Sequence, residues 1–579
     1  MTGRRRPAST VRPVFARILG LTALAAAVTA PAAVAADPIV PLAQLHRGMT
    51  CTARTVVQGT TITTFGVEVI DVLDDVNGSG PRVLVRVSGD AVAGSGIASG
   101  FSGSPVYCAG ADGTVGNAGA ISATIGQYGN DVGLVTPIEQ MLGLPVKPPS
   151  GAKRAPRAVR ASARPVATPL TFAGLSPALG RLLERSGRAG GRTLVAAPVG
   201  PLGSFPPQEL IPGASVAAAW STGAVAASAI GTVTYRDGSA VYGFGHQFDG
   251  VGRRSLPLQD AYVFTVVGSP LDTSESTSYK LAAPGRTLGT LTNDASPAVV
   301  GVLGERPRTI PVTVAVRDED RGRTIRQRTE VADEVDVGDP LGRGLLPLIA
   351  PIAVAQAVTT AFEGAPARES GRLCLRVTVR ESRAPLRFCN RYVVNAAATE
   401  GLPGLALAMA ADATSALEAV DSADFRGLHV TGVKADVRIA RGLRLATIRS
   451  VRGPRTVRRG GTARLSLRVR EVRGPLRTVG VTVRIPRDAP LGRQTLRVAG
   501  RTLDDVEDGG GTITIVIGGE GDGATSGGAQ SMRAVRARFG ATARYDGLRA
   551  SIGKARWRAG TVEELRIDGR GALPVRVVR

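Results

Sequence analysis

Apolar and polar residues alternate singly along most of this chain. Thr61 to Leu73 and Arg82 to Val87 alternate in this way, which is the period of half-buried strands. The same pattern predicts strands at Ala229 to Tyr235, Ser255 to Leu258, Ala261 to Val267 and Thr309 to Val316. Further on, Ala446 to Arg452, the run after Gly460-Gly461, Val481 to Ile485 and Gln494 to Val498 are short strands with turns between them. Regular short strands of this kind predict a small immunoglobulin-like β-sandwich over residues 426–505. Helical patterns are few: Pro177 to Arg185, and the Ala/Leu-rich stretches Leu345 to Phe362 and Leu402 to Leu417. The expected fold class is therefore mainly β.

Breaks in the periodicity divide the chain. A β-rich unit is expected over 36–145. A linker over 146–170 opens with Lys147-Pro148-Pro149-Ser150 and has no period. A second β-rich unit follows over 171–330. Residues 331–425 are expected to be a helix-hairpin-helix region, and 426–505 the sandwich. The Gly- and Asp-rich stretch 506–530 reads as a flexible linker. Its Asp spacing fits no calcium loop. The last segment, 531–579, is Arg-rich and β-like.

The first 35 residues change the picture. Arg4, Arg5, Arg6, Arg12 and Arg17 precede an apolar run from Ile18 to Val28, and Ala33-Val34-Ala35 offers a small-residue cleavage site. That is the layout of a signal peptide over 1–35. The mature chain is expected to be exported, extracellular or associated with the cell envelope, with no transmembrane helix after cleavage. Pro347 and Pro351 interrupt the apolar segment at 345–361, which reads as a buried helix.

Export makes the cysteines informative. Four Cys in an oxidising compartment suggest two disulfides and allow three pairings. The pairing expected is Cys51–Cys108 and Cys374–Cys389. The second would staple two alternating strands around Glu381-Ser382-Arg383-Ala384. No CxxC pair occurs, and only His46 lies near a Cys in sequence. Neither a metal nor a cofactor is expected.

The formal net charge of +24 suggests nucleic acid as a partner. The cations are nearly all Arg, however, and are scattered along alternating strands with no interleaved aromatic motif. A solvated basic surface, with weak attraction to anionic envelope polymers, is the expected consequence. Specific nucleic-acid binding is not.

Two glycine-rich turns carry candidate chemistry. Gly96 to Cys108 reads GIASGFSGSPVYC. Small residues around a Ser make a tight turn that presents a hydroxyl, and Gly residues let backbone N–H groups turn toward one point. Ser102 is the candidate nucleophile, with the N–H groups of Gly100 and Ser102 as the oxyanion hole. Residues 242–249 read YGFGHQFD. Of three His in the chain, His246 alone sits in a glycine-flanked aromatic loop. A Ser loop and a His loop on separate strands are the parts of an acyl-transfer site, and their order in a chain is free to vary. His429 falls on a strand and reads as structural.

These turns resemble those of the SpoIVB serine peptidase family, whose domain is trypsin-like. The family's Gly-Met-Ser-Gly-Ser-Pro loop corresponds to Gly100-Phe101-Ser102-Gly103-Ser104-Pro105, and its Gly-His loop to Gly245-His246. The flanking strands are similar as well, from Arg47-Gly48-Met49 through Val135-Thr136-Pro137-Ile138-Glu139 and from Gly231-Thr232-Val233-Thr234-Tyr235 to Gly285 through Leu291. The likeness covers about residues 40 to 315. In the family the His half precedes the Ser half. Here the order is reversed, as in a circular permutation of two half-barrels.

The resemblance implies a trypsin-like double β-barrel, with the Ser loop in the half 36–145 and the His loop in the half 171–330. The family's acid lies upstream of the Ser loop, where this chain reads Val87-Ser88-Gly89-Asp90. Asp90 is therefore one candidate for the third residue and Asp249, three residues past His246, is the other. The expected function is that of an exported serine endopeptidase acting through a Ser-His acyl-enzyme on a protein or peptide substrate, envelope proteins among the candidates. The competing expectation is a catalytically inactive peptidase-like scaffold or adhesion protein of the envelope.

Overall fold

A computed structural model describes residues 36–579 apart from 127, 151, 157–158, 160–162, 166–168, 190–192, 198–204, 272–276, 335–343, 396–400, 424–427, 501–527, 543–546, 561 and 563–564. The expected signal peptide and most of the expected 506–530 linker lie outside the described residues. The chain is mainly β, and its alternating segments close on themselves before any of them pack as open layers.

The first closure uses six strands: β1 (Thr50–Gln58), β2 (Thr61–Leu73), β3 (Arg82–Ser88), β4 (Pro105–Ala109), β5 (Val115–Ile125) and β6 (Val132–Pro137). They run β4-β1-β2-β3-β6-β5, and β5 pairs back onto β4. Every pairing is antiparallel. Closure removes the sheet edge. Val67, Val69, Val83, Val85, Val106, Ile121 and Val135 point inward and form one core. Cys51–Cys108 staples the neighbouring strands β1 and β4 to one another. A short β7 (Ala163–Pro165) adds to the outside of β5. Part of the expected 146–170 linker is laid along the barrel: Lys153 N–H donates to Val72 O at 3.0 Å and its amine meets Asp71 at 3.0 Å.

The second unit begins with β8 (Leu170–Ala173), the helix Pro177–Ala189 and β9 (Leu194–Ala196). A second ring follows, of β10 (Ser215–Gly223), β11 (Ala226–Asp237), β12 (Ala240–Gly243), β13 (Gly252–Val267), β14 (Tyr279–Ala295) and β15 (Ala298–Leu303). Its order is β10-β13-β14-β15-β12-β11, closed by β10 on β11. The two rings pack together. Gly59 and Val263 exchange backbone hydrogen bonds at 2.7 and 3.0 Å, Asn117 Nδ2 donates to Thr234 O at 2.8 Å, and Val56 joins Ala217, Ile230 and Val263 in a shared apolar cluster.

The second sheet continues beyond its ring. From β10 it extends through β17 (Arg323–Ala332) and β16 (Thr309–Asp318) to β20 (Val430–Arg441), β18 (Arg368–Val379) and β19 (Leu386–Asn395). The helices Leu345–Phe362 and Gly404–Asp421 cover one face of this wing, where Val312, Val314, Leu373, Leu375, Val433 and Val437 point. Cys374 and Cys389 are direct cross-strand partners and are bonded. The helix Leu345–Phe362 has the length and hydropathy of a membrane span, but 83% of it is buried inside the protein. Two intramolecular disulfides fit an oxidising, extracellular environment.

Two boundaries move. Strand β20, expected to open the sandwich at 426, pairs in parallel with β16 and antiparallel with β18. The layered region therefore begins at Leu445. The C-terminal segment, expected to stand apart after 530, completes it. One sheet has the order Leu476–Arg484, Thr462–Glu471, Leu445–Arg452, Arg566–Asp568. The other runs Thr456–Arg458, Arg570–Val578, Gly492–Ala499, Arg549–Ile552, Ala555–Arg558. Their inner faces share one core that includes Leu465, Val483, Leu496, Val498, Ile567 and Val577. Part of that segment, Met532–Ala541, is a helix rather than a strand. Ser531 caps it, and Phe539 packs on Phe388 at 5.6 Å between ring centres.

Candidate functional site

The Ser loop is a turn between the end of β3 and β4, and glycine shapes it twice. Gly100 has φ +95° and Gly103 φ +92°, a region that side chains with Cβ avoid. At Gly103 there is also no room, because a Cβ would lie 2.0 Å from Thr232 O and 2.4 Å from Phe244 N. The loop is therefore pressed against β11 and the His loop.

Hydrogen bonds fix this contact. Thr232 N–H donates to Ser102 O at 2.9 Å, and Gly103 N–H donates to Ile121 O at 2.8 Å. Thr232 Oγ1 donates to Gly100 O at 2.9 Å and Thr234 Oγ1 to Gly103 O at 2.7 Å. Within the loop, Phe101 N–H donates to Ala98 O and Ser104 N–H to Phe101 O. The N–H groups of Gly100 and Ser102 donate to no acceptor among the described residues. Buried backbone N–H groups are nearly always paired, so two orphans flanking one residue are a site of stored donor capacity.

The His loop turns at Phe244 (φ +68°) and Gly245 (φ +66°). Gly245 rests on β5, its Cβ position 3.0 Å from both Ala120 Cβ and Ile121 O. Thr136 Oγ1 donates to Gly245 O at 2.7 Å. The Ser and His loops thus share Ile121 and Thr232 as common supports. His246 is buried, and its Nδ1 lies 2.6 Å from Gln247 O. A carbonyl oxygen only accepts, so in the neutral ring Nδ1 carries the hydrogen and Nε2 is left basic. Ser102 is also buried, and its Oγ makes no hydrogen bond. The structure therefore brings the two loops together without a hydrogen bond from Ser102 to His246.

The two candidate acids lie elsewhere. Asp90 is exposed on the turn Asp90–Val92, and among the described residues no hydrogen bond or ion pair joins it to His246. Asp249 is buried and holds Arg254 Nη1 at 2.5 Å. Arg254 also meets Glu334 at 2.6 Å. Burial alone would lower the Arg254 pKa, but the Glu334 and Asp249 carboxylates outweigh it and hold the guanidinium charged. Beside them, Asp294 accepts the N–H groups of Phe248, Asp249 and Gly250 at 2.6 to 2.9 Å. These carboxylates clamp the tail of the His loop onto β14 and the end of β17.

Sequence reasoning missed Lys280. It is the second residue of β14, is 2% exposed, and lies directly under the Ser loop. Its N–H and the N–H of Ser99 tie β14 to the loop, through Lys280 N to Ser99 O at 2.9 Å and Ser99 N to Ser278 O at 2.8 Å. Its stem passes 3.1 Å from the Cβ position of Gly100. Its amine donates to Thr55 Oγ1 at 2.9 Å, Thr232 Oγ1 at 3.1 Å and Ser215 Oγ at 3.4 Å. Burial without a countercharge lowers its pKa to about 7. The chain Lys280–Thr232–Gly100 O fixes the peptide that follows Gly100.

Among the described residues no group of three or more His, Cys, Asp or Glu is placed to hold a metal ion. Comparison with known proteins finds no matching family model, no matching curated protein and no matching solved structure.

Proposed function

We propose that this protein is an exported serine endopeptidase of trypsin-like, circularly permuted design, with Ser102 as nucleophile and His246 as its base. In this reading Nε2 of His246 takes the Ser102 Oγ proton as the oxygen attacks a peptide carbonyl. The developing oxyanion is received by the N–H groups of Gly100 and Ser102. His246 then gives its proton to the leaving amine, and water hydrolyses the acyl-enzyme by the same steps. Gln247 O holds the ring in the needed tautomer, which leaves the clamp on Asp249 free to be structural. The observation that carries the reading is the pair of undonated N–H groups flanking the Ser102 turn, with the His loop seated on the same two supports. Two packed six-strand rings and the residue-level resemblance of the two loops support it further. Catalytic hydrogen bonds often form only when substrate is bound, so the Ser102–His246 bond is expected to close in the complex.

The complete burial of Ser102 favours one rival, an inactive scaffold that keeps the fold for binding. A fluorophosphonate probe on the mature protein separates the two. The proposal expects labelling at Ser102 that Ser102→Ala removes and His246→Ala lowers by about a hundredfold or more, the usual contribution of a general base. A folded protein that no serine-directed probe labels would establish the scaffold reading instead.

A further inference from the structure

Among the described residues no helix covers the second face of the wing, and the sandwich meets that face at one end. The wing's inner face carries the apolar residues packed on the helices Leu345–Phe362 and Gly404–Asp421. Side chains alternate across a strand, so the intervening residues form the outer face. Register places them in rows. One row is Arg391–Arg372–Arg438–Arg317, running across β19, β18, β20 and β16. Four residues along each strand, another row is Arg387–Arg376–Lys434–Thr313, which ends on Arg328 of β17. Between them lies Cys389–Cys374–Asp436–Ala315, ending on Arg326.

Like charges directly opposite one another on a sheet are destabilising. Here they stand opposite on three successive strand pairs in the first row. Some compensation is present: Arg438 lies 3.8 Å from Glu319, and Arg328 2.6 Å from Glu330. Arg317, Arg326, Arg376, Arg387 and Lys434 form no ion pair among the described residues. At one end the first row leads into a cleft against the sandwich, lined also by Arg444, Arg566 and Glu319, with Arg444 paired to Glu319. Strands lie about 4.8 Å apart and rise about 3.3 Å per residue, so the two basic rows are rails about 13 Å apart, each crossing the strands.

We propose that this face binds a linear acidic glycan, its carboxylates on the two Arg rails and its sugar hydroxyls on the polar groups between and beside them. Guanidinium forks match carboxylates in bidentate fashion, and the face presents them in a fixed array. Asp436 sits between the rails and is exposed. There it can accept hydrogen bonds from sugar hydroxyls, donors that a polyphosphate chain does not offer. Thr313 and Thr324 add hydroxyls at the rails' far ends. No aromatic residue occupies an outward position in the rows, so the face has no platform on which nucleic-acid bases could stack. The two disulfides fit an extracellular environment, where such a polymer would be met.

The test is fluorescence anisotropy with labelled polygalacturonate and the mature chain, at low and moderate salt, with polyphosphate and single-stranded DNA as competitors. Binding is expected to weaken with salt. The triple variant Arg376→Gln/Arg387→Gln/Lys434→Gln is expected to lose about tenfold or more in affinity, because most of such binding comes from charge contacts. Arg464→Gln/Arg497→Gln/Arg556→Gln removes the same charge from exposed strands of the sandwich and is expected to change affinity by less than about twofold. Matching thermal melts of the two triples exclude misfolding as the cause. Equal losses in both, or no binding by the wild type, would overturn the proposal. So would polyphosphate or DNA displacing the glycan at lower concentration of charge. Asp436→Asn gives a second reading: it is expected to improve polyphosphate binding more than glycan binding, and equal improvement would remove Asp436 from its assigned role.

Discussion

Lys280 shows most sharply how one residue's environment sets its behaviour. A lysine sealed under a loop with only hydroxyl partners must either carry an unpaired charge or give up its proton. Its folded pKa of about 7 lies below the ordinary lysine value. Between that value and the unfolded pKa, the unfolded chain binds more protons than the folded one, so stability rises with pH across the window. Below about pH 7 the cost of burying the ammonium is fully present and the dependence flattens. Lys280→Met is expected to abolish the rise between pH 7 and pH 10 and to stabilise the protein at pH 6, as read by urea unfolding across pH. An unchanged slope would mean that the amine titrates normally. Nothing in the sequence marked this residue. Tyr279 and Leu281 look like the inward set of that strand, yet they are the half-exposed ones, and Lys280 with Ala282 faces the barrel junction. The turns that carry Ser102 and His246 were legible for the opposite reason: positive φ at Gly100, Gly103 and Gly245 favours glycine, and glycine is visible in a sequence.

At the scale of an element, apolar packing of Phe244 seats the start of the His loop, and charge holds its tail. Asp294 takes three of its N–H groups, while Arg254 joins Asp249 to Glu334. Removing one partner of a buried ion pair leaves an uncompensated charge and costs about 3–5 kcal/mol. Glu334→Gln is therefore expected to lower urea stability by roughly that amount. Asp294→Ala is expected to loosen the loop itself, and with it fluorophosphonate labelling of Ser102, while far-ultraviolet circular dichroism stays that of the wild type. Asp249→Asn separates two roles. As part of the clamp it lowers stability and leaves the pH profile of labelling in place. As the residue orienting His246 it would displace that profile. The contact to Arg254 favours the first. Sequence spacing could nominate Asp90 and Asp249 because both stand near a loop, but it carries no information on Glu334, eighty residues beyond Arg254, which completes the clamp.

For the whole molecule, local pattern and global placement part company. The mainly β class was readable because alternation is a local property. Which sheet a strand joins is not local. β20 alternates apolar and polar residues just as the sandwich strands do, yet it lies parallel to β16. A parallel pair needs a crossover, which the helix-hairpin-helix region supplies. The C-terminal strands posed the same difficulty. Arg570–Val578 lies between Thr456–Arg458 and Gly492–Ala499, inside its sheet rather than at an edge. A chain ending after Ala499 would lack that strand and Arg566–Asp568, leaving Leu496 and Val498 without their partners across the core. The prediction is that this truncation unfolds residues 445–499 and opens them to limited proteolysis. The two barrels share none of that core, but the truncation also removes the helix Met532–Ala541, whose Val535 and Phe539 pack in the core of the wing; the wing is therefore expected to lose stability while fluorophosphonate labelling at Ser102 persists. Loss of labelling on truncation would show instead that the C-terminal segment, through the sandwich or that helix, supports the paired loops across the intervening wing.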